Sequence, residues 1–276
     1  MTGHATFVRT MWSPQDGTIE AWAHRYVTSD ELPYKLSPPP PPKEWDPSAE
    51  PLVLTHPGRP EELTLAGRGT RTPGRDALRR PERRAQLLHT FLHHELQAAE
   101  LMCRTLLAFP AAPRAFRQGL LSICQDELRH MEMYAEHIER LGFRFGGFPV
   151  NDWFWRRVPE TTTALQFVAL MGLGFEGANL DHTARFAERF DQAGDARGAD
   201  VQRRIGQEEI PHVAFGVYWF EKLGHAPLTF DTWRAALPSP LSPILMRGNP
   251  IDREARARAG MSGAFTEALF RFQPTQ

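Results

Sequence analysis

Two five-residue phrases, DELRH at 126–130 and EEIPH at 208–212, share one form: an acid, a glutamate, two spacers and a histidine. On a helix, Glu127 and His130 stand three apart on one face, as do Glu209 and His212. A carboxylate and an imidazole side by side can ligate one metal ion. A single Glu-x-x-His is weak, because it arises by chance and usually sits on a solvated face. Two of them, 82 positions apart, are a stronger signal.

The test is whether two further helices each offer an inward carboxylate. Glu95 lies among Leu88, Phe91, Leu92, Ala98, Ala99 and Met102, and Glu176 lies in the apolar run LMGLGFEGANL. A lone buried carboxylate is costly, so a glutamate on either stripe needs a compensating partner. Glu95 precedes Glu127 by 32 residues and Glu176 precedes Glu209 by 33, which puts the four at matching heights in two hairpins. Four glutamates and two neutral histidines carry a charge that balances two divalent cations. Mixed carboxylate and imidazole ligation suits iron, manganese or a mixed pair better than a closed structural zinc site.

Several neighbours have candidate roles. Asp126 and Glu208, one residue before each motif glutamate, are placed to orient the histidine of the opposite hairpin; the alternative is that they are plain exposed acids. Tyr134, four past His130, is expected in the core or lining a pocket. Asn179 and Asp181 are candidates for contact with metal-bound water or substrate, or for helix-packing hydrogen bonds. His93 and His94 flank Glu95 but point elsewhere on the helix, which predicts surface or capping roles. The WFW triplet at 153–155 is expected to cover a bundle end. Arg71, Arg75, Arg79, Arg80, Arg83 and Arg84 form a basic cluster, read as a solvated helix N-terminus with anion binding as the alternative. Gly172, Gly174 and Gly177, with Ala98 and Ala99, leave room either for a pocket or for close helix packing.

These residues need long helices to hold them. Thirteen of the 24 prolines lie at or before Pro81, so residues 1–80 form a Pro-rich irregular N-terminal arm. Within it, TFVRTMW and TIEAWAHRYV read as a hairpin, or the second as a short helix. From Pro81 the apolar period becomes helical, and four long helices follow over 81–224. Pro110 and Pro113 divide the first two, and a threonine cluster after Pro159 caps the third. Gly224 stops the fourth, and the longest connection spans 142–160. Two antiparallel hairpins with one crossover predict an all-α, ferritin-like four-helix bundle. Residues 225–276, with helical candidates TFDTWRAAL and IDREARARAGMSGAFTEALFRF, form a tail expected to wrap the bundle ends. Pro211, inside the second motif, departs from ideal helix and marks a place for a bend.

A net charge of −1 argues against a broad nucleic-acid surface or attraction to an anionic membrane. No apolar run approaches the roughly 20 residues of a membrane span. The opening MTGHATFVRTMW lacks the basic-then-apolar pattern of a signal peptide, and Cys103 and Cys124 are expected as free thiols, so a cytoplasmic location is expected.

The segments LLHTFLHHELQAAELM, DELRHMEMYAEHIERLG, FEGANLD and EEIPHVAFGVYWF resemble the ferritin-like family catalogued as domain of unknown function 455. That family is grouped near the MiaE-like tRNA-hydroxylase branch of the di-iron carboxylate proteins. The resemblance covers about 65–225, with a weaker echo in NPIDREARARAG. It implies a dinuclear iron site with ligand roles at Glu95, Glu127, His130, Glu176, Glu209 and His212. A tRNA substrate is left open by the relatives.

The first functional reading is an oxidoreductase in which two irons activate O₂ to hydroxylate or otherwise oxidise a small organic substrate, with an external electron donor. A monomer or small homo-oligomer is expected. A ferroxidase or metal-handling protein is the alternative, although arms on both sides of the bundle fit cage assembly poorly. A peroxide-consuming di-metal enzyme is the third. Two cysteines exclude the additional Cys₄ iron site of a rubrerythrin.

Overall fold

Pro81 opens the first long helix where its missing N–H costs nothing and its fixed φ suits the first turn. The protein is described by a computed structural model covering residues 12–66, 74–239 and 241–273. In the arm, α1 spans Ile19–Thr28 and α2 spans Leu32–Leu36. The helix alternative for TIEAWAHRYV is therefore the one found; Thr18 caps it by accepting from the Ala21 N–H. The partner segment TFVRTMW lies outside the described residues except for Trp12.

The bundle contains α3 (Pro81–Ala108), α4 (Arg114–Arg140) and α7 (Ala196–Gly224), with a third rod built in pieces. That rod starts with α5 (Ala164–Phe167), capped by Thr163. It passes through a π-helical stretch at Val168–Phe175 and continues as α6 (Glu176–Gln192). The chain is all-helical and ferritin-like, and among the described residues only two isolated bridges are extended. α3 packs along α4 and α6 along α7, while α4 meets α7 across the centre. α7 stays a single helix through Pro211.

Two glycines seat the third rod on α7. A Cβ on Gly172 would lie 3.3 Å from the Gly216 Cα, so the two backbones nearly touch. Gly174 and Gly177 likewise admit Met246 and Met261 of the tail. Close packing, not pocket space, explains these three glycines.

The tail has α8 (Phe230–Ala236), α9 (Arg253–Arg258) and α10 (Gly263–Arg271). The second helical candidate is split by Gly260, whose φ of +88° ends α9. The tail packs against the bundle. It lies along the flank of α6, α7 and the π stretch, where the buried Trp233 donates its Nε1–H to the Ala169 carbonyl at 2.8 Å. No helix among the described residues is long and apolar enough to cross a membrane.

Candidate metal centre

Each long helix contributes a buried glutamate toward the centre: Glu95 from α3, Glu127 from α4, Glu176 at the start of α6 and Glu209 from α7. Glu176 donates its own N–H to the Met171 carbonyl five residues back, so the π turn ends at this residue. A wider turn re-phases a helix, and such turns recur at functional sites. Nothing in residue spacing revealed it. Glu95, Glu127, His130 and Glu209 each bring one ligand-type atom within 4.8 Å of the others.

The two motifs are related by an approximate twofold. His130 Nδ1 lies 3.0 Å from Glu127 Oε2 and 3.5 Å from Glu209 Oε1. His212 Nδ1 lies 3.1 Å from Glu209 Oε2 and 3.3 Å from Glu127 Oε1. Glu127 and Glu209 thus each present one oxygen to either imidazole, an arrangement that can bridge two cations. Glu95 shares a hydrogen bond with Glu127, and Glu176 shares one with Glu209.

The far ring nitrogens face the acids beside the motifs. His130 Nε2 lies 3.2 Å from Glu208 Oε2, and His212 Nε2 lies 3.0 Å from Asp126 Oδ2. A carboxylate on Nε2 holds the proton there and leaves the Nδ1 lone pair directed at the cluster. Arg129 pairs with both Asp126 and Glu208, tying the two acids together, and Arg204 Nε meets Glu208 Oε1 at 3.0 Å. Arg129 sits within the first motif and escaped the sequence reading, because an arginine on a helix surface gives no signal of its own.

The donor set fits a bound metal ion. Glu127 Oε1 and Glu176 Oε1 are buried with no hydrogen-bond partner. Burial, then the charges of Glu127 and Glu209, push the Glu95 carboxyl well above the usual range; burial, then Glu209 and Glu127, do the same to Glu176. Burial pulls His212 down, but Glu209, Asp126 and Glu127 outweigh it and raise it well above its ordinary value. Protons on imidazole are a partial answer to a charge excess that two cations would answer fully.

A cavity of about 470 Å³ opens between α3 and α6 and reaches Glu95 and Glu176. Tyr134 lines it and accepts from Gln202 Nε2 at 2.9 Å, so it is a pocket residue as well as a core one. Asn179 also lines it and donates to Glu209 Oε1 at 3.2 Å. His93 and His94 are not surface residues: both line the cavity, and His94 stacks on Phe154 with centroids 5.0 Å apart. Trp153 and Phe154 form cavity wall rather than an end cover, while Trp155 Nε1 donates to Glu100 Oε2 at 2.7 Å.

Asp181 does not face the cluster. Its carboxylate accepts from Arg256 Nε at 3.0 Å and Nη2 at 2.8 Å, and from the Gly248 and Asp252 N–H groups. Five residues along a helix turn a side chain about 140°, which aims Asp181 away from the side occupied by Glu176. The basic cluster is also dispersed: Arg84 pairs with Asp195, Arg80 with Glu82, and Arg83 bonds Gln86. Arg71 and the Arg75 side chain lie outside the described residues. Cys103 and Cys124 are free and buried, with their sulfurs 3.5 Å apart.

A family model described as "Protein of unknown function (DUF455)" matches residues 17–267. The chain belongs to this family. The match runs from the arm into α10, well beyond the 65–225 of the motif resemblance, so most of the arm and tail are part of the family pattern. An uncharacterized protein of Haemophilus influenzae is 26% identical over 147 residues, half of this chain. The chain spans about half the length of that curated relative, at 51%. No solved structure matches.

Proposed function

We propose that Glu95, Glu127, His130, Glu176, Glu209 and His212 hold two iron ions, and that the protein uses O₂ to oxidise a small organic substrate. One observation carries this reading: Glu95, a member of the charged cluster, and Glu176, whose carboxyl faces Glu209 and Glu127, both also line a cavity with aromatic walls. A pure storage site needs no such chamber beside its metals.

When bound, an iron pair would supply the activation of O₂. The protein's part is placement. Asp126 and Glu208 hold both imidazoles in the Nε2–H tautomer, and Phe91, Trp153, Phe154, Phe175 and Phe186 exclude water from the chamber. Hydroxylating a C–H bond with O₂ also consumes two electrons and two protons and releases water, so an external electron donor belongs to the proposal.

The test is iron stoichiometry and O₂ consumption. Purified protein is expected to hold about two irons per chain, the number that four carboxylates balance. Reduced protein should consume O₂ in proportion to its iron and then stop until reductant is added. Continuous uptake of Fe(II) into a large spherical assembly would replace this reading with storage.

A further inference from the structure

From the charge layout of the cavity, resting on the dinuclear reading above, we propose that the substrate is an organic acid. It has an apolar body and one anionic oxygen-rich end, and Arg185 receives that end. Four wholly or largely buried arginines have carboxylate partners, namely Arg59 with Glu100 and Asp152, Arg84 with Asp195, Arg117 with Glu20, and Arg256 with Asp181, while buried Arg104 donates to the Leu54 and Pro159 carbonyls. Arg185 is the exception on the cavity wall. Among the described residues no carboxylate lies within ion-pair distance of it, and its Nε is buried without a hydrogen-bond partner. Its guanidinium rests over the Phe186 ring at 4.9 Å, a contact that leaves its donors unused.

The positions around it define a ligand. Glu176, Asn179, His182 and Arg185 recur every three residues along α6 and all line the cavity. At about 1.5 Å per residue, Arg185 stands roughly 13 Å along the helix from Glu176. Opposite, α3 supplies Glu95, His94, Phe91 and Leu87, and Phe91 meets Phe186 with centroids 4.8 Å apart. The intervening His182 does not compete as a cation: burial and then Arg185 hold it at about 4. The carboxylates on the cavity wall are those of Glu95 and Glu176, at the metal end. Arg156 also lines the cavity, but its Nη2 is engaged by Asn151 Oδ1 at 2.6 Å.

A ligand whose anion sits on Arg185 therefore lays an apolar body along the aromatic walls. That places a carbon several bonds from the acid group beside Glu95 and Glu176. The cavity volume lies within the roughly 300–1,000 Å³ of small-molecule sites.

The experiment titrates full-length, metal-loaded protein by calorimetry with decanoate and 3-phenylpropanoate, and with the matched neutral probes decanol and 3-phenylpropanol. Metal content is measured on the same samples, so loss of the dinuclear reading would register separately as low metal. At least one acid is expected to bind more tightly than its alcohol. Arg185→Gln is expected to weaken that acid about 10- to 100-fold, with Arg185→Lys restoring part of the loss and the alcohols unchanged. Arg144→Gln, at an exposed position, is the control. Alcohols binding as well as acids, or no acid binding at all, would overturn the proposal. So would acid binding that survives Arg185→Gln but disappears with the metal, since the acid would then sit on the metal itself.

Discussion

Glu95 and Glu100 lie five positions apart on α3, at 5% and 0% exposure, yet their surroundings are opposite in charge. Glu100 accepts from Lys35 Nζ at 2.7 Å, from Arg59 Nη1 and Nη2 at 2.6 and 2.9 Å, and from Trp155 Nε1 at 2.7 Å. Burial alone would raise its pKa, but Arg59 and Lys35 overcome that and lower it. Glu95 faces Glu127, Glu209 and Glu176 and is raised. The same offset recurs on α6, where Glu176 joins the cluster and Asp181, five residues on, pairs with Arg256 of the tail. In both helices the inward carboxylate faces other acids. The other, turned about 140° away, takes its cation from a flanking segment. Arm and tail are thereby fastened to the bundle through buried charge.

The largest contrast is expected at the inward site. Glu127→Ala and Glu209→Ala each remove a carboxylate facing both histidines, so bound metal should fall from about two per chain to near zero by elemental analysis. Retention of full metal by either variant would break the bridging assignment. At the outward site, Glu100→Gln leaves Lys35 buried without its counter-charge and Arg59 with Asp152 alone. A loss of about 3–5 kcal/mol in denaturant unfolding is expected, with metal stoichiometry unchanged in the folded fraction.

Removing Asp126 or Glu208 as alanine should leave the cluster assembled but weaken metal binding about 10- to 100-fold in a chelator competition. The pH response sharpens the contrast further. Glu100 and Asp152 both have folded pKa values below their unfolded ones, so their stabilisation is complete above about pH 4.5. It is lost as pH falls through the folded values, and Glu100→Gln should flatten this acid limb of the stability curve. The smallest effect belongs to exposed Glu132, where alanine should change stability by less than about 0.5 kcal/mol and metal content not at all.

Much of the centre was legible because helical period and ligand spacing are both local. Glu-x-x-His puts two donors on one face whatever surrounds it, and a charge inside LMGLGFEGANL has to be answered by something. The same reasoning applies to Glu100 in AAELMCRTLL, although no second motif accompanies it. The roughly 140° turn that separates Asp181 from Glu176 is also present in the sequence, and it favours the packing hydrogen bonds over the metal side for Asp181.

By itself the sequence determined four long helices, their pairing by loop length, and a surplus of inward negative charge, since each follows from spacing along one chain segment. Only the tertiary structure decided which cation meets which acid. Lys35 and Arg59 reach Glu100, Arg256 reaches Asp181, and Arg129 spans Asp126 and Glu208. It also decided that Trp153, Phe154 and His94 become cavity wall and that Arg185 lines the cavity without a carboxylate partner among the described residues. Ion pairing and cavity shape depend on distances between segments far apart in sequence, and those distances are set by how the helices pack.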